Sequence, residues 1–281
     1  MKTPAWLATA LLAVLPVVLP AQSYRTTVET RRVAADRPLK VELGFGVGEL
    51  TLRRSEAAHT YRIGMTYAED VFNPEVRYEA NAGTLTIKLA GEGGLRLNDS
   101  HKLDQELDVA LPGDVPLDLS LSFGAIEAHL ELGGLTLRTA EIKTGASETA
   151  VTFAQPTLGT CDQLTFNVGA AQFEARQLGN SGCRTISLAG AVGEMELEFS
   201  GERLAPDTRL FIKVGLGEVR LRIPEAVGIR VESDRFLASV DRAGLVKHGS
   251  AYLSPGYDEA RTKLTIEIDA ALGSVEIERI H

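Results

Sequence analysis

The chain has 281 residues, 44% of them hydrophobic and 24% charged, and its 29 Lys and Arg against 38 Asp and Glu leave a formal net charge of −9. An acidic balance of this size disfavours nucleic acid as a partner. The apolar content suffices for a folded core, so disorder is not the default reading.

The chain opens with Lys2, an apolar run from Ala5 to Leu19, then Pro20 and Ala21 before the polar Gln22 and Ser23. This order reads as a secretory signal peptide over residues 1–21, cleaved after Ala21. The run is shorter than the ~20 residues a spanning helix needs and is broken by Pro16, and no Cys follows it to signal a lipid anchor. No later apolar run reaches membrane length, so the mature chain is expected to lack a transmembrane segment and to reside in the periplasm or outside the cell. Without Lys2 the count becomes 28 basic against 38 acidic residues, a net charge of −10. The single Trp, Trp6, leaves with the leader, which removes the best stacking platform for a sugar.

From residue 22 onward apolar and polar residues alternate in short runs broken by Gly. Val41, Leu43 and Phe45 lead to Gly46 and Gly48, followed by Leu50 and Leu52. This is strand, Gly corner, strand, and no useful stretch keeps a helical period. The segment from about Tyr61 to Ala90 departs from that rhythm. It predicts antiparallel strands turning at Asn81, Ala82 and Gly83, a cap that would cover an otherwise open strand edge. Gly91 to Ser100 reads as a loop, so residues 22–100 form an N-terminal β segment with the first coil and the capping hairpin.

Residues 101–281 then repeat. Gly124 precedes Ile126, Ala128 and Leu130; Gly193 precedes Met195, Leu197 and Phe199; Gly217 precedes Val219, Leu221 and Ile223; Gly48 and Gly273 open the same motif. With the weaker corners at Gly145 and Gly169, the intervals from Gly124 to Gly217 are 21, 24, 24 and 24 residues. At ~3.3 Å per strand residue such a coil has a contour of roughly 80 Å, enough to wrap a narrow core. The expected fold is therefore all-β, a single-chain β-solenoid (β-helix-like) with coils of about 22–24 residues and a small antiparallel cap. A β-sandwich built from hairpins is the alternative. The corner glycines are expected to supply positive φ.

Cys161 and Cys183 each precede a strand by three residues and occupy the same place in consecutive coils. Strands stacked about 4.8 Å apart bring such residues within disulfide reach, and an exported protein meets an oxidising compartment. A structural disulfide between rungs is predicted.

Chemistry finds no motif. There is no His-Glu-x-x-His, Cys-x-x-Cys, Gly-x-Ser-x-Gly or phosphate loop, and no helix follows Gly44, Gly46 and Gly48 to hold a phosphate. His59, His101, His129, His248 and His281 are scattered, so no metal and no cofactor is expected. Glu49, Glu194 and Glu218 each follow a corner Gly and would offer calcium a carboxylate array, or else form a solvated face balanced by Arg53, Arg220 and Arg222. Asp108, Asp118 and Glu127 cluster in sequence, as a polysaccharide lyase or hydrolase would need, or simply point outward from alternating strands. The Asn98-Asp99-Ser100 sequon adds no argument.

The run from Val115 to Leu137, VPLDLSLSFGAIEAHLELGGLTL, and that from Tyr252 to Ile277, YLSPGYDEARTKLTIEIDAALGSVEI, resemble the toast-rack family. Its domains are similar to the C-terminal domain of bacterial cell-wall-active antibiotic response proteins. The resemblance implies a β-solenoid-like envelope domain without mapped catalytic residues. In those response proteins the domain follows transmembrane helices and is linked to control of an envelope-stress sensor kinase. A signal peptide in place of those helices departs from that pattern. The functional expectation is a non-enzymatic envelope scaffold that recognises another envelope protein, with links to envelope stress. Polysaccharide adhesion is the alternative, kept open by Tyr61, Tyr67 and Tyr78, and a polysaccharide-cleaving enzyme is the third reading.

Overall fold

The computed structural model describes residues 23–91, 105–236, 239–241 and 244–281. The signal peptide expected over residues 1–21, the sequon at Asn98 and His101 lie outside the described residues.

The strands, in chain order, are β1 (Tyr24–Arg32), β2 (Leu39–Ser55), β3 (Thr60–Ala68), β4 (Phe72–Glu79), β5 (Thr84–Gly91), β6 (Glu106–Pro112), β7 (Leu117–Glu131), β8 (Leu137–Thr144), β9 (Glu148–Thr152), β10 (Cys161–Arg176), β11 (Cys183–Glu198), β12 (Asp207–Pro224), β13 (Val227–Phe236), β14 (Ser239–Asp241), β15 (Val246–His248), β16 (Ala251–Leu253) and β17 (Thr262–Ile280). Among the described residues they join into one 17-stranded sheet.

Strand β7 shows how sequence makes a rung. Leu117, Leu119, Leu121 and Phe123 are buried while Asp118, Ser120 and Ser122 face outward, as the two-residue strand period requires. At Gly124 and Ala125 two residues in a row point away from the core, and burial resumes at Ile126, Ala128 and Leu130. That extra residue bends the strand and turns its second half back onto the same core, as a bulge does. In β10 the sequence Leu164, Phe166, Val168, then Ala171, Phe173, Ala175 repeats the device. The return segments close the third side with Leu132 and Leu135, Phe153, Leu178 and Phe199, all buried. At roughly 1.5–3 kcal/mol for each large apolar side chain removed from water, this continuous core drives folding.

Rungs stack in parallel, which rules out the hairpin-built sandwich. One outward column runs Asp118, Thr139, Gln163, Thr185, Arg209 across β7, β8, β10, β11 and β12. The coil lengths read from it are 21, 24, 22 and 24 residues. The third differs from the Gly interval, because Gly193 stacks on Ala171 and not on Gly169.

The middle coils follow chain order, but both ends are interleaved. Strand β2 lies between β7 on one side and the outermost rung, β5 with β6, on the other. Strand β17 lies between β12 and the outermost rung at the opposite end, β13 with β14. Antiparallel strands then cover each end. The expected hairpin is present as β4 and β5, turning at Gly83, where φ is 64°. Its second strand is itself part of a rung, and β3 pairs with both β6 and β1. At the far end β16 pairs with β13 and β15. The interleaving and the second cap were not foreseen from sequence, since an alternating strand carries no mark of which neighbour it will choose.

Candidate functional site

The bend gives each rung two outward surfaces, a first face before the corner and a second face after it. Cys161 and Cys183 stand opposite each other at the start of β10 and β11, fully buried, with Cα atoms 4.2 Å apart, and form a disulfide. They staple two coils and are sealed from solvent, which leaves them a structural role.

Along the corner the glycines make two columns. Gly124 lies over Gly46, Gly145 over Gly124 and Gly169 over Gly145; two residues further on, Gly193, Gly217 and Gly273 stack in register. Gly48, Gly193 and Gly217 adopt φ of 122°, 137° and 151°. Gly124 and Gly273 lie outside that region and are needed for a different reason. A Cβ at Gly124 would sit 2.2 Å from the Gly46 carbonyl oxygen, and one at Gly273 2.3 Å from that of Gly217. The corner works by backbone-to-backbone contact between coils as much as by positive φ.

On the second face, outward positions align into charged columns. Glu106, Glu49, Glu127 and Glu148 are consecutive in one column, which continues through Gln172 to Glu194 and Glu218. Among the described residues no cation lies within ion-pair distance of Glu49, Glu106 or Glu148, while Glu127 meets His129 at 3.1 Å. Like charges directly opposite on neighbouring strands are destabilising. Toward the C-terminal rungs arginines intervene. Arg220 reaches Glu218 at 2.9 Å and Glu276 at 3.2 Å, and Arg222 reaches Glu198 at 3.1 Å and Glu278 at 3.3 Å. The hydrogen bond that Arg220 donates to Glu276, then the charge of Glu218, hold the Arg220 guanidinium more firmly protonated than usual. A groove of about 310 Å³ runs over this face, lined by His129, Glu148, Gln172, Glu194, Glu218 and Arg220 among others.

The first face is different. Around the Glu141–Lys143 pair of β8, outward positions of β7, β8, β10 and β11 carry Ser120, Ser122, Thr139, Gln163, Thr165, Asn167, Thr185 and Ser187. Its charged members are locally neutralised: Asp118 accepts from Thr139 at 3.1 Å and faces Arg138 at 3.6 Å, and Glu141 pairs with Lys143 at 2.9 Å.

The other residues singled out from sequence are dispersed. Asp108 is on the second face beside Arg53 and Arg62, Asp118 is on the first face, and Glu127 sits beside His129, so the acid cluster seen in sequence is not one in space. Among the described residues no group of three His, Cys, Asp or Glu is placed to hold a metal. Arg53 pairs with Asp108 and does not balance Glu49. Tyr61 and Tyr67 are buried, and Tyr78 lies edge-on to Tyr61 under the Arg31 guanidinium, so the capping tyrosines offer sugars no free platform. Burial, reinforced by a 2.6 Å hydrogen bond to Glu29, pushes the Tyr61 hydroxyl pKa well above its ordinary value. The neutral ladder on the first face was missed from sequence. Its signal, polar residues alternating with the core positions, becomes readable only once the 22-residue coil between β10 and β11 is known.

No curated protein matches the chain in sequence. Solved structures resemble it distantly. A protein described as a candidate cell adhesion protein from Clostridium sporogenes is 17% identical with a TM-score of 0.45, covering 92% of this chain and 100% of its own. A candidate adhesin from Bacteroides fragilis is 12% identical with a TM-score of 0.37, covering 90% of this chain and 97% of its own. Residues 20–158 match the model of the N-terminal domain of toast-rack, and residues 174–277 match the C-terminal domain of the cell wall-active antibiotics response protein LiaF; together they cover nearly the whole chain, which belongs to the toast-rack family.

Proposed function

We propose that this protein is an exported, non-enzymatic scaffold of the cell envelope that recognises another envelope protein through its second face. The observation carrying this reading is the acidic column. Glutamates distant in sequence, from Glu49 to Glu218, are brought into one line along a groove at a cost to stability. A surface selected only for folding would alternate its charges. A line of like charge steers and orients a partner bearing a basic segment. The buried disulfide suits an oxidising compartment, and among the described residues no helix is long and apolar enough to cross a membrane. Neither family description names an enzymatic activity. A role in envelope stress signalling would follow from the identity of the partner.

The test is in-cell crosslinking from a photoreactive residue placed at Glu194, with one at Ser187 on the first face for comparison. The expected result is one recurrent protein trapped from Glu194 alone, lost when Glu148 and Glu218 are changed to Lys. Equal trapping from both faces, or none, would overturn the assignment.

A further inference from the structure

The first face has a composition that folding alone does not demand. Ser120, Ser122, Gln163, Asn167 and Ser187 do not belong to the β-branched and aromatic types that strands favour, and Asn is depleted there. Yet they occupy outward positions that align across the rungs, Gln163 between Thr139 and Thr185 and Thr165 beside Ser187, with the Glu141–Lys143 pair of β8 standing between Ser120 and Thr165 and between Ser122 and Asn167. Two of the amides are already oriented. Gln163 Nε2 donates to the Thr165 hydroxyl at 3.1 Å, and Asn167 Nδ2 donates to Glu141 at 3.2 Å. Each amide thereby leaves its carbonyl oxygen turned away as an acceptor. A groove of about 540 Å³ lies on this same face, lined by Ser120, Thr139, Glu141, Gln163 and Thr165 with Lys40 and Glu42 at its margin. One aromatic side chain joins the ladder. Phe211 of β12 is half-buried on the outward side, directly opposite Ser187.

We propose that the first face of β7, β8, β10, β11 and β12 binds an extended, uncharged polysaccharide lying across the rungs, parallel to the stacking direction. A neutral glycan chain presents hydroxyls that both donate and accept, and apolar ring faces. The ladder answers the first with hydroxyls and oriented amides, and Phe211 answers the second. Rungs recur every ~4.8 Å, so the four steps from β7 to β12 offer roughly 19 Å of stacked positions to a repeating polymer. The internal pairing of Asp118 with Arg138 and of Glu141 with Lys143 neutralises the centre of the face, while the exposed Arg209 and Lys213 flank Phe211 on β12, which makes a polyanion the control that distinguishes recognition of hydroxyls from attraction by charge. A protein partner fits this face less well, because Phe211 is the one aromatic anchor among these outward positions and the rest is small and polar. This surface is opposite in character to the acidic column, and the two assignments fail separately.

Affinity electrophoresis in native gels cast with hydroxyethyl cellulose, with glycol chitin or with polygalacturonate tests the proposal on the purified protein. At least one of the two neutral polymers is expected to slow migration about twofold, since a repeated ladder meeting a repeated polymer gains avidity, and polygalacturonate to leave it unchanged. Combined Gln163→Ala, Asn167→Ala and Phe211→Ala substitutions should abolish the retardation while thermal unfolding stays that of the parent. Should that variant fold poorly, Ser187→Glu places one carboxylate in the ladder and should weaken retardation by itself, whereas Glu194→Lys on the second face should not. No retardation by either neutral polymer, retardation by polygalacturonate alone, or retention untouched by the first-face variants would overturn the proposal.

Discussion

The middle coils and the two ends of this solenoid solve the same problem differently. From β7 to β12 each rung stacks on the one before it in sequence, whereas at each end the outermost rung, β5 with β6 or β13 with β14, lies in the chain between two strands, β2 and β7 or β12 and β17, that pair with each other further in. In the middle, order along the chain and order in space coincide, so stability comes close to a sum of neighbour interfaces. At the ends they do not, and β2 and β17 are gripped on both sides. A solenoid that simply stopped would expose an unpaired edge and invite aggregation. Interleaving plus an antiparallel cover pairs the outer edges of β5, β6 and β13 instead.

Removing β17 should break this comparison most severely. Deleting residues 262–281 opens the edges of β12 and β13 together, and the product is expected to aggregate, as size-exclusion chromatography would show. Deleting the 22 residues 161–182, one whole middle coil, should instead leave a soluble β protein, because β11 can take the place of β10 on β8 and β9. Insolubility of both deletions would refute the distinction. Within the middle, Phe166→Ala empties a fully buried site against Phe173, 4.8 Å away between ring centroids, and should cost about 3–5 kcal/mol in denaturant unfolding. Replacing Cys161 and Cys183 together by Ala releases a loop of 22 residues and should cost about 3 kcal/mol.

A pH series sharpens the contrast at the N-terminal end. The Tyr61 hydroxyl is held protonated in the folded state by burial and by Glu29. Its stabilising contribution is therefore complete below the unfolded pKa near 10 and lost as pH rises above it. Hydrogen exchange should show β1 and β3 loosening above pH ~10 before the middle coils do, and Tyr61→Phe should flatten that dependence. The smallest effect belongs to the acidic column. Glu127→Gln relieves repulsion from Glu49 and Glu148 and should stabilise by about 0.2–0.5 kcal/mol at low salt, vanishing at high salt.

Much of this architecture was legible in advance. The alternation in Val41 to Leu52 and Gly124 to Leu130 marks strands and their corner, and the two cysteines mark one coil. Their separation of 22 was the better ruler, because a disulfide ties two positions in direct register, whereas a corner spans several residues and can place its Gly at either of two columns. Gly169 and Gly193 belong to different columns, and reading them as equivalent gave 24. The candidate surfaces were less legible. Glu49, Glu194 and Glu218 were visible, but Arg53 turned out to serve Asp108, and the capping tyrosines proved to be core.

By itself the sequence determined that this chain forms alternating strands bent at glycines, stacks them as coils, and joins two coils through sulfur. All of these follow from local periodicity, backbone sterics and short-range chain geometry. Only the tertiary structure decided which rungs are neighbours at the ends, and therefore which outward side chains share a column. Parallel pairing is set by contacts between segments up to 78 residues apart, as Lys40 and Asp118 show, and an alternating strand satisfies its own requirements equally well beside any neighbour that buries its apolar side.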